Sequence, residues 1–220
     1  MEEKVMAKKK IKIDVVSDVV CPWCYIGKRR LEKAIETLHD TIDFEVSYHP
    51  FELNPQMPAR GVNQKEYLSE KFGGEEQYSK ITAHTTQVAA TEGLIFNFDK
   101  QQRSPNTRKA HVLLQAAHTD GVQLSLMEIL FNAYFTDGVD LSTHENLIAL
   151  ATQAGMAEDK AAQLLSDDQA LMQVSLAEQE LYKLGISSVP FYIINNKYGI
   201  SGAQATETFI ETFEDISSKE

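Results

Sequence analysis

The two cysteines of the 220-residue chain, Cys21 and Cys24, stand three positions apart in Cys21-Pro22-Trp23-Cys24. They lie between a run that reads as a strand, Ile11 to Val16, and one that reads as a helix, Lys28 to Leu38. A Cys-x-x-Cys pair that opens a helix sets one sulfur among backbone N–H groups with no acceptor inside the helix. The helix dipole adds partial positive charge at the same place. Both effects favour the thiolate at Cys21, and the thiolate is the nucleophile. Cys24, one turn on, shares that helix face and stands within reach for a disulfide. Pro22 suits a first helical turn, where a missing N–H costs nothing. The chemistry this spacing points to is thiol–disulfide exchange: Cys21 attacks a substrate disulfide, and Cys24 resolves the mixed disulfide.

A metal site is the competing use of the spacing. Structural zinc takes about four ligands, commonly a second Cys or His pair. The six histidines, at 39, 49, 84, 111, 118 and 144, are scattered and form no such pair. Redox use is favoured and no metal is expected. A formal charge of -11 argues against nucleic acid or an anionic membrane as a general partner. No apolar run approaches the roughly 18 residues of a membrane span. The stretch before Ile11 has no apolar core of the signal-peptide kind. A cytoplasmic protein is expected, and in a reducing compartment a lone Cys-x-x-Cys is not a permanent staple. Lys8-Lys9-Lys10 reads as a solvated, disordered basic tip.

The elements that must position the pair follow from periodicity. After the motif, Leu31, Ala34, Ile35 and Leu38 recur at helical spacing, and Phe44 to Tyr48 alternates as a second strand. Strand, helix, strand is a crossover unit with a parallel pair. Pro50, Pro55 and Pro58 break the chain into a loop ending at Gly61. Helices are then expected over Tyr67 to Phe72 and Tyr78 to Glu92. Further apolar stripes follow at Ala110 to Ala117, with Asn106 as cap, and at Leu126 to Tyr134. Ser142-Thr143-His144-Glu145 fits a capping box, for a helix that stops at Gly155. Leu171 to Leu184 marks a long helix ending at Gly185. Val189 to Ile194 and Tyr198 to Ile200 read as a hairpin turning at Asn195-Asn196-Lys197, followed by a last helix with Phe209, Ile210 and Phe213 on one face. The order is that of an α/β domain split by an all-helical insertion, with halves at 10–62 and 185–220 and the insert at 63–184.

Asp18-Val19-Val20-Cys21-Pro22-Trp23-Cys24-Tyr25-Ile26-Gly27, Phe51-Glu52-Leu53-Asn54-Pro55, Asn106-Thr107-Arg108-Lys109-Ala110-His111 and Ser201-Gly202-Ala203-Gln204 together resemble the DsbA superfamily. More narrowly they are similar to its FrnE-like branch, near the 2-hydroxychromene-2-carboxylate isomerases and kappa-class glutathione transferases. The resemblance implies a thioredoxin-like fold interrupted by a helical domain, and a protein disulfide oxidoreductase or isomerase activity. It also implies a cis Val189–Pro190 bond facing the cysteines. Cys21, Cys24 and Pro190 are then the catalytic residues, with Pro22, Trp23 and Val189 contacting substrate. The substrates would be protein or small-molecule thiols and disulfides. No tightly bound cofactor is implied; glutathione or another low-molecular-weight thiol would be the exchanging partner.

Trp23 is bulky and uncharged and cannot help a thiolate as a protonated histidine would, so a reductase or isomerase fits better than a strong oxidant. It reads equally as packing or as contact surface. Lys28-Arg29-Arg30 reads as a solvated face, and His111 as a hydrogen-bonded structural histidine. His49, beside Pro50, stands at a strand end from which it could approach the site. Two rivals remain. A glutathione-dependent transferase or isomerase is disfavoured because both cysteines are kept. A client-binding module without catalysis would survive their loss. A helical insert of this kind can bury a homodimer surface.

Overall fold

The computed structural model describes residues 8–219. The stretch of the signal-peptide reading before Lys8 lies outside the described residues. In chain order the elements are β1 (Lys9–Ser17), α1 (Pro22–Leu38), β2 (Ile42–Pro50), β3 (Val62–Asn63), α2 (Gln64–Phe72) and α3 (Glu75–Thr91). β4 (Arg103–Ser104), α4 (Arg108–Thr119), α5 (Gln123–Asn132), one π-helical turn (Ala133–Asp137), α6 (His144–Gln153), α7 (Glu158–Leu164) and α8 (Asp168–Lys183) follow. β5 (Phe191–Ile194), β6 (Tyr198–Ser201) and α9 (Thr206–Lys219) close the chain.

The four-stranded sheet has the order β2-β1-β5-β6. β1 and β2 run parallel with Ile13 opposite Val46, and β1 and β5 run antiparallel with Val15 opposite Tyr192. β1 is central, and Ile11, Ile13 and Val15 on one face and Val16 on the other are all buried. A strand covered on both faces carries such a run. On one side α1 and α9 pack together, and Phe209 and Phe213 of α9 meet Tyr192 and Phe44 at ring separations of 4.9 and 5.1 Å. On the other side α4, α5 and α8 pack against β2. β2 is an edge strand, and its open edge is capped from within the helical part. The buried Gln123 side chain accepts from the Tyr48 N–H (2.8 Å) and donates to the Tyr48 carbonyl (2.9 Å). Leu126, Leu130 and Phe131 of α5 share one continuous apolar cluster with the sheet residues Ile11 and Ile13.

The α/β order read from periodicity is present, with these differences. Lys9 and Lys10 are not a loose tip but the start of β1, paired with Ile42 and Asp43. Parallel pairing rewards the backbone there whatever the side chains. Thr107, not Asn106, is the N-cap of α4, and Asn106 Oδ1 instead accepts from Arg108 N–H (3.1 Å). Thr143 Oγ1 caps α6 by accepting from Asn146 N–H (3.3 Å), one residue later than the Ser142–Glu145 pattern suggests. α7 and the small β3–β4 ladder are too short to leave a periodic signal.

Candidate active site

Cys21 is the N-cap residue of α1, with extended backbone, and Pro22 occupies the first turn. The Cys21 carbonyl accepts the Cys24 amide (3.0 Å) and the Tyr25 amide (3.4 Å), which closes the turn that carries both sulfurs. Both cysteines are free thiols with little exposure, 4% at Cys21 and 2% at Cys24. Burial pushes the Cys24 thiol well above its ordinary pKa, and the neighbouring Cys21 sulfur pushes it further, through a hydrogen bond and through charge. Ser17 and the Asp18 backbone offset part of this. Cys24 is therefore held as the thiol while Cys21 faces a cavity. Opposite Cys21, the Val189–Pro190 peptide is cis. Val189 O lies 3.9 Å from Cys21 Sγ, a thiol-donor contact, and the Pro190 carbonyl accepts Gly202 N–H at 2.8 Å. Gly27 lets this loop approach: a Cβ there would stand 3.3 Å from Pro190 Cγ and 2.3 Å from Tyr192 Oη.

Beneath the cysteine loop, Asp18 and His111 are both fully enclosed, at 1% and 2% exposure. His111 Nε2 faces Asp18 Oδ1 (3.2 Å) and the Phe51 carbonyl (3.1 Å). Both are acceptors, so Nε2 carries the proton. Burial alone would lower the His111 pKa, but Asp18 first, then the Glu178 and Glu52 carboxylates, raise it above the ordinary histidine value. Asp18 Oδ2 accepts Leu53 N–H at 2.8 Å, tying the loop after β2 to the cysteine loop. Behind this lies a second buried set. Glu52 N–H donates to Glu178 Oε1 (2.6 Å), and Arg108 reaches Glu52 Oε1 through Nε and Nη2, each at 2.7 Å. Burial and the charge of Glu52 raise the Glu178 carboxyl to about 7.

The basic run after the motif is not a solvated face. Lys28 is 5% exposed and pairs with Glu32 (2.5 Å) and with Glu128 of α5. Arg29 meets Glu128 (2.7 Å), and Arg30 meets Glu92 (2.6 Å) and the Ala203 carbonyl (2.7 Å). These cations pin α1 to the helical part. Counter-charges from residues distant in sequence leave no local trace of that. His49 is committed to Asp14 (2.8 Å) and is not among the residues that line the cavity. His111, too, is hydrogen-bonded within the fold, to Asp18 and the Phe51 carbonyl, and does not line the cavity.

The cavity beside Cys21 holds about 410 Å³. Val20, Pro22, Trp23 and Val189 form its thioredoxin side, with Leu53 and Met57 from the loop after β2. Tyr67, Leu68 and Phe72 of α2, Tyr78 and Ile81 of α3, and Phe98, Tyr134 and Phe135 close it from the helical side. Trp23 is half-buried, its ring 6.3 Å from that of His84. Trp23, Pro22 and Val189 thus stand with Cys21 at one end, while Cys24 lies behind and Pro190 is buried in the adjoining loop. Sequence reasoning did not find Asp18, Glu52 and Glu178 as a buried polar set, nor the aromatic wall. Their partners lie 35 to 126 positions away. No group of three or more potential metal ligands occurs among the described residues. No helix among them is long and apolar enough to cross a membrane.

Residues 12–214 match the model of the DSBA-like thioredoxin domain. The chain is 26% identical over 223 residues to the uncharacterized protein YwbO of Bacillus subtilis, covering 95% of this chain and 98% of that one. A solved structure described as probable DsbA oxidoreductase SCO1869 from Streptomyces coelicolor superposes with a TM-score of 0.87 at 30% identity, covering 96% of this chain and 91% of that one. The cytosolic disulfide reductase DsbM from Pseudomonas aeruginosa, solved with GSH, shares the fold with a TM-score of 0.67 at 15% identity, covering 93% and 98%. The sulfur pair at the mouth of α1, the cis-proline loop against it and this match together place the chain in the DSBA-like thioredoxin domain family.

Proposed function

We propose that this protein is a thiol–disulfide oxidoreductase that works in the reducing or isomerising direction through a mixed disulfide on Cys21. The observation that carries this reading is the asymmetry of the pair. Cys21 lines the cavity at the start of α1, whereas Cys24 is buried behind it with its thiol pKa well raised. One sulfur is presented and the other is held in reserve, which is what attack followed by resolution requires. The Cys21 thiolate attacks one sulfur of the substrate disulfide, and the leaving sulfur takes up a proton. Cys24 then loses its proton, attacks Cys21 Sγ and releases the second product thiol. Val189 and Pro190 position the substrate beside Cys21, and Pro22 and Trp23 contact it. An uncharged Trp23 between the sulfurs, with no cation there to hold the thiolate, fits a pair that gives up electrons. A thiol reductant returns the pair to the dithiol, and no tightly bound cofactor takes part.

The test is capture. Cys24→Ser is expected to hold substrate thiols as stable mixed disulfides, seen by intact mass, while Cys21→Ser captures none. A glutathione redox titration of the wild type, read by alkylation, is expected to show a reversible dithiol–disulfide transition. Capture by the Cys21→Ser variant, or a pair that never forms a disulfide, would overturn the proposal.

A further inference from the structure

The cavity beside Cys21 is unlike a site for a charged tripeptide thiol. Among the residues that line it, the charged ones are Asp18 and Lys71. Asp18 is already spent on His111 and the Leu53 amide. Lys71 stands exposed at the outer end of α2, its Nζ 5.7 Å over the Tyr67 ring. The neutral polar groups of the wall are tied to one another. Tyr134 Oη donates to Gln64 Oε1 (3.0 Å), Gln64 Nε2 donates to Gln101 Oε1, and Gln101 Nε2 donates to the Tyr134 carbonyl (3.0 Å). Thr85 Oγ1 donates to the Ile81 carbonyl at 2.8 Å. Asn54 Nδ2 donates to Tyr67 Oη (3.0 Å) and Thr82 Oγ1 to the Tyr78 carbonyl (3.0 Å), so apart from the Tyr78, Ser104 and Thr107 hydroxyls the surface that remains to meet a ligand is mostly aromatic and aliphatic. The carboxylates and ammonium of glutathione would find no charged partner in it beyond Lys71 at its outer end, and uncompensated burial of charge is costly. The volume, about 410 Å³, is near the lower end of the roughly 300–1,000 Å³ that small-molecule sites occupy.

Building on the exchange chemistry proposed above, we infer that the cavity selects small apolar disulfides, aryl-bearing or branched aliphatic, as the substrates presented to Cys21. Apolar groups fill the space between Trp23, Ile81, Phe98 and Phe135, and the disulfide lies at the Cys21 end. The Cys21 thiolate forms a bond to one substrate sulfur as the substrate S–S bond breaks, and the first thiolate leaves and is protonated by solvent. Cys24 passes its proton to solvent and its sulfur attacks Cys21 Sγ, releasing the second thiolate. The substrate is reduced to two thiols and the protein is oxidised to the Cys21–Cys24 disulfide. A single turnover therefore needs no other reductant.

The test is a single-turnover series on the reduced full-length chain, quenched by alkylation and read by intact mass. Bis(2-phenylethyl) disulfide, bis(2-hydroxyethyl) disulfide and glutathione disulfide are compared, each rate divided by that of the same disulfide with free 2-mercaptoethanol. The normalised rate for the phenylethyl compound is expected to exceed that for glutathione disulfide by at least about tenfold, a modest share of what burying an aromatic group contributes. Ile81→Glu, with Leu68→Lys as a second variant should the first not fold, is expected to abolish that preference. Equal normalised rates, faster reaction of glutathione disulfide, or faster reduction of scrambled ribonuclease than of any small disulfide would overturn the inference and leave the exchange reading standing. A preference that survives both variants would place selection elsewhere and overturn it too. If no disulfide oxidises the pair, the exchange reading itself fails and the inference falls with it.

Discussion

Replacing Glu178 with glutamine is expected to leave stability unchanged in acid and raise it above neutrality. Glu178 is 6% exposed, and its carboxyl lies against that of Glu52, which is 1% exposed. Arg108 binds Glu52 through Oε1, so the proton of the pair sits on Glu178. Glu52 Oε2 has no hydrogen-bond partner drawn from the described residues, and the Glu178 proton is the donor positioned to supply one. The groups that face the pair are Arg108 from α4, His111 from α4 with Asp18 behind it, and Tyr182 one turn along α8. The folded Glu178 carboxyl titrates at about 7, against 4.5 for an ordinary glutamate, so between those values the folded protein binds a proton that the unfolded chain does not. The associated stability is complete below pH 4.5 and is lost as pH rises through about 7. At about 1.4 kcal/mol per pH unit this interval amounts to about 3 kcal/mol.

Glutamine mimics the protonated acid: its oxygen accepts the Glu52 N–H and its amide donates to the Glu52 carboxylate at every pH. Urea unfolding at pH 5 and pH 8 separates the two proteins. Glu178→Gln should be the more stable by about 1 kcal/mol at pH 5 and by about 3 kcal/mol at pH 8. His111, whose pKa is also raised, adds a slope of the same sign to both proteins; the variant keeps the part due to Asp18 and Glu52 and loses the part due to the Glu178 charge. A variant less stable than wild type by the same amount at both pH values would refute the shared-proton reasoning.

His111→Phe leaves the buried Asp18 carboxylate without its ring partner and should cost about 3 kcal/mol in urea unfolding, with faster exchange of the Leu53 amide; a loss under about 1 kcal/mol would mean Asp18 is satisfied elsewhere. Tyr192 Oη is buried without a hydrogen-bond partner among the described residues, so Tyr192→Phe should be neutral or stabilising by up to about 1 kcal/mol. Gly27→Ala, whose Cβ would meet that oxygen at 2.3 Å, should cost about 2 kcal/mol, and the double variant should recover part of it; equal loss in both backgrounds would place the clash elsewhere. Glu128→Ala leaves the buried Lys28 ammonium with Glu32 as its remaining carboxylate and should cost about 1–2 kcal/mol, whereas Lys28→Met with Glu128→Leu should lie near wild type by thermal unfolding.

The parts of the fold legible in the sequence are those that local chemistry writes down. Alternation marks β1 and β2, apolar spacing marks α1, α8 and α9, and Asn195-Asn196 with positive φ turns the last hairpin. The cysteine pair and Pro22 at the first turn are equally local. The polar floor of the site was not legible, because its partners are set by tertiary packing. Asp18 meets a histidine 93 positions on, and Lys28 meets a glutamate 100 positions on. A histidine on an amphipathic helix and a lysine after a helix start read the same whether or not such a partner exists.

The segments that carry the family resemblance are scattered in the chain, yet the structure bonds them into one shell around Cys21. Asp18 of the first segment holds the amide of Leu53 in the second and the ring of His111 in the third. Arg108 of the third holds Glu52 of the second. In the fourth, Gly202 N–H holds the Pro190 carbonyl beside the cysteines, and the Ala203 carbonyl receives Arg30 of α1. These contacts do not touch a reacting sulfur. They fix the loop after β2, the start of α4 and the cis-proline loop relative to α1, and those pieces are the walls of the cavity. The sequence signature is therefore largely a signature of positioning. It marks how the site is built around Cys21 and supplies Val20, Trp23 and Leu53 to the apolar lining, while Ile81, Phe98 and Phe135 on the helical side fall outside all four segments.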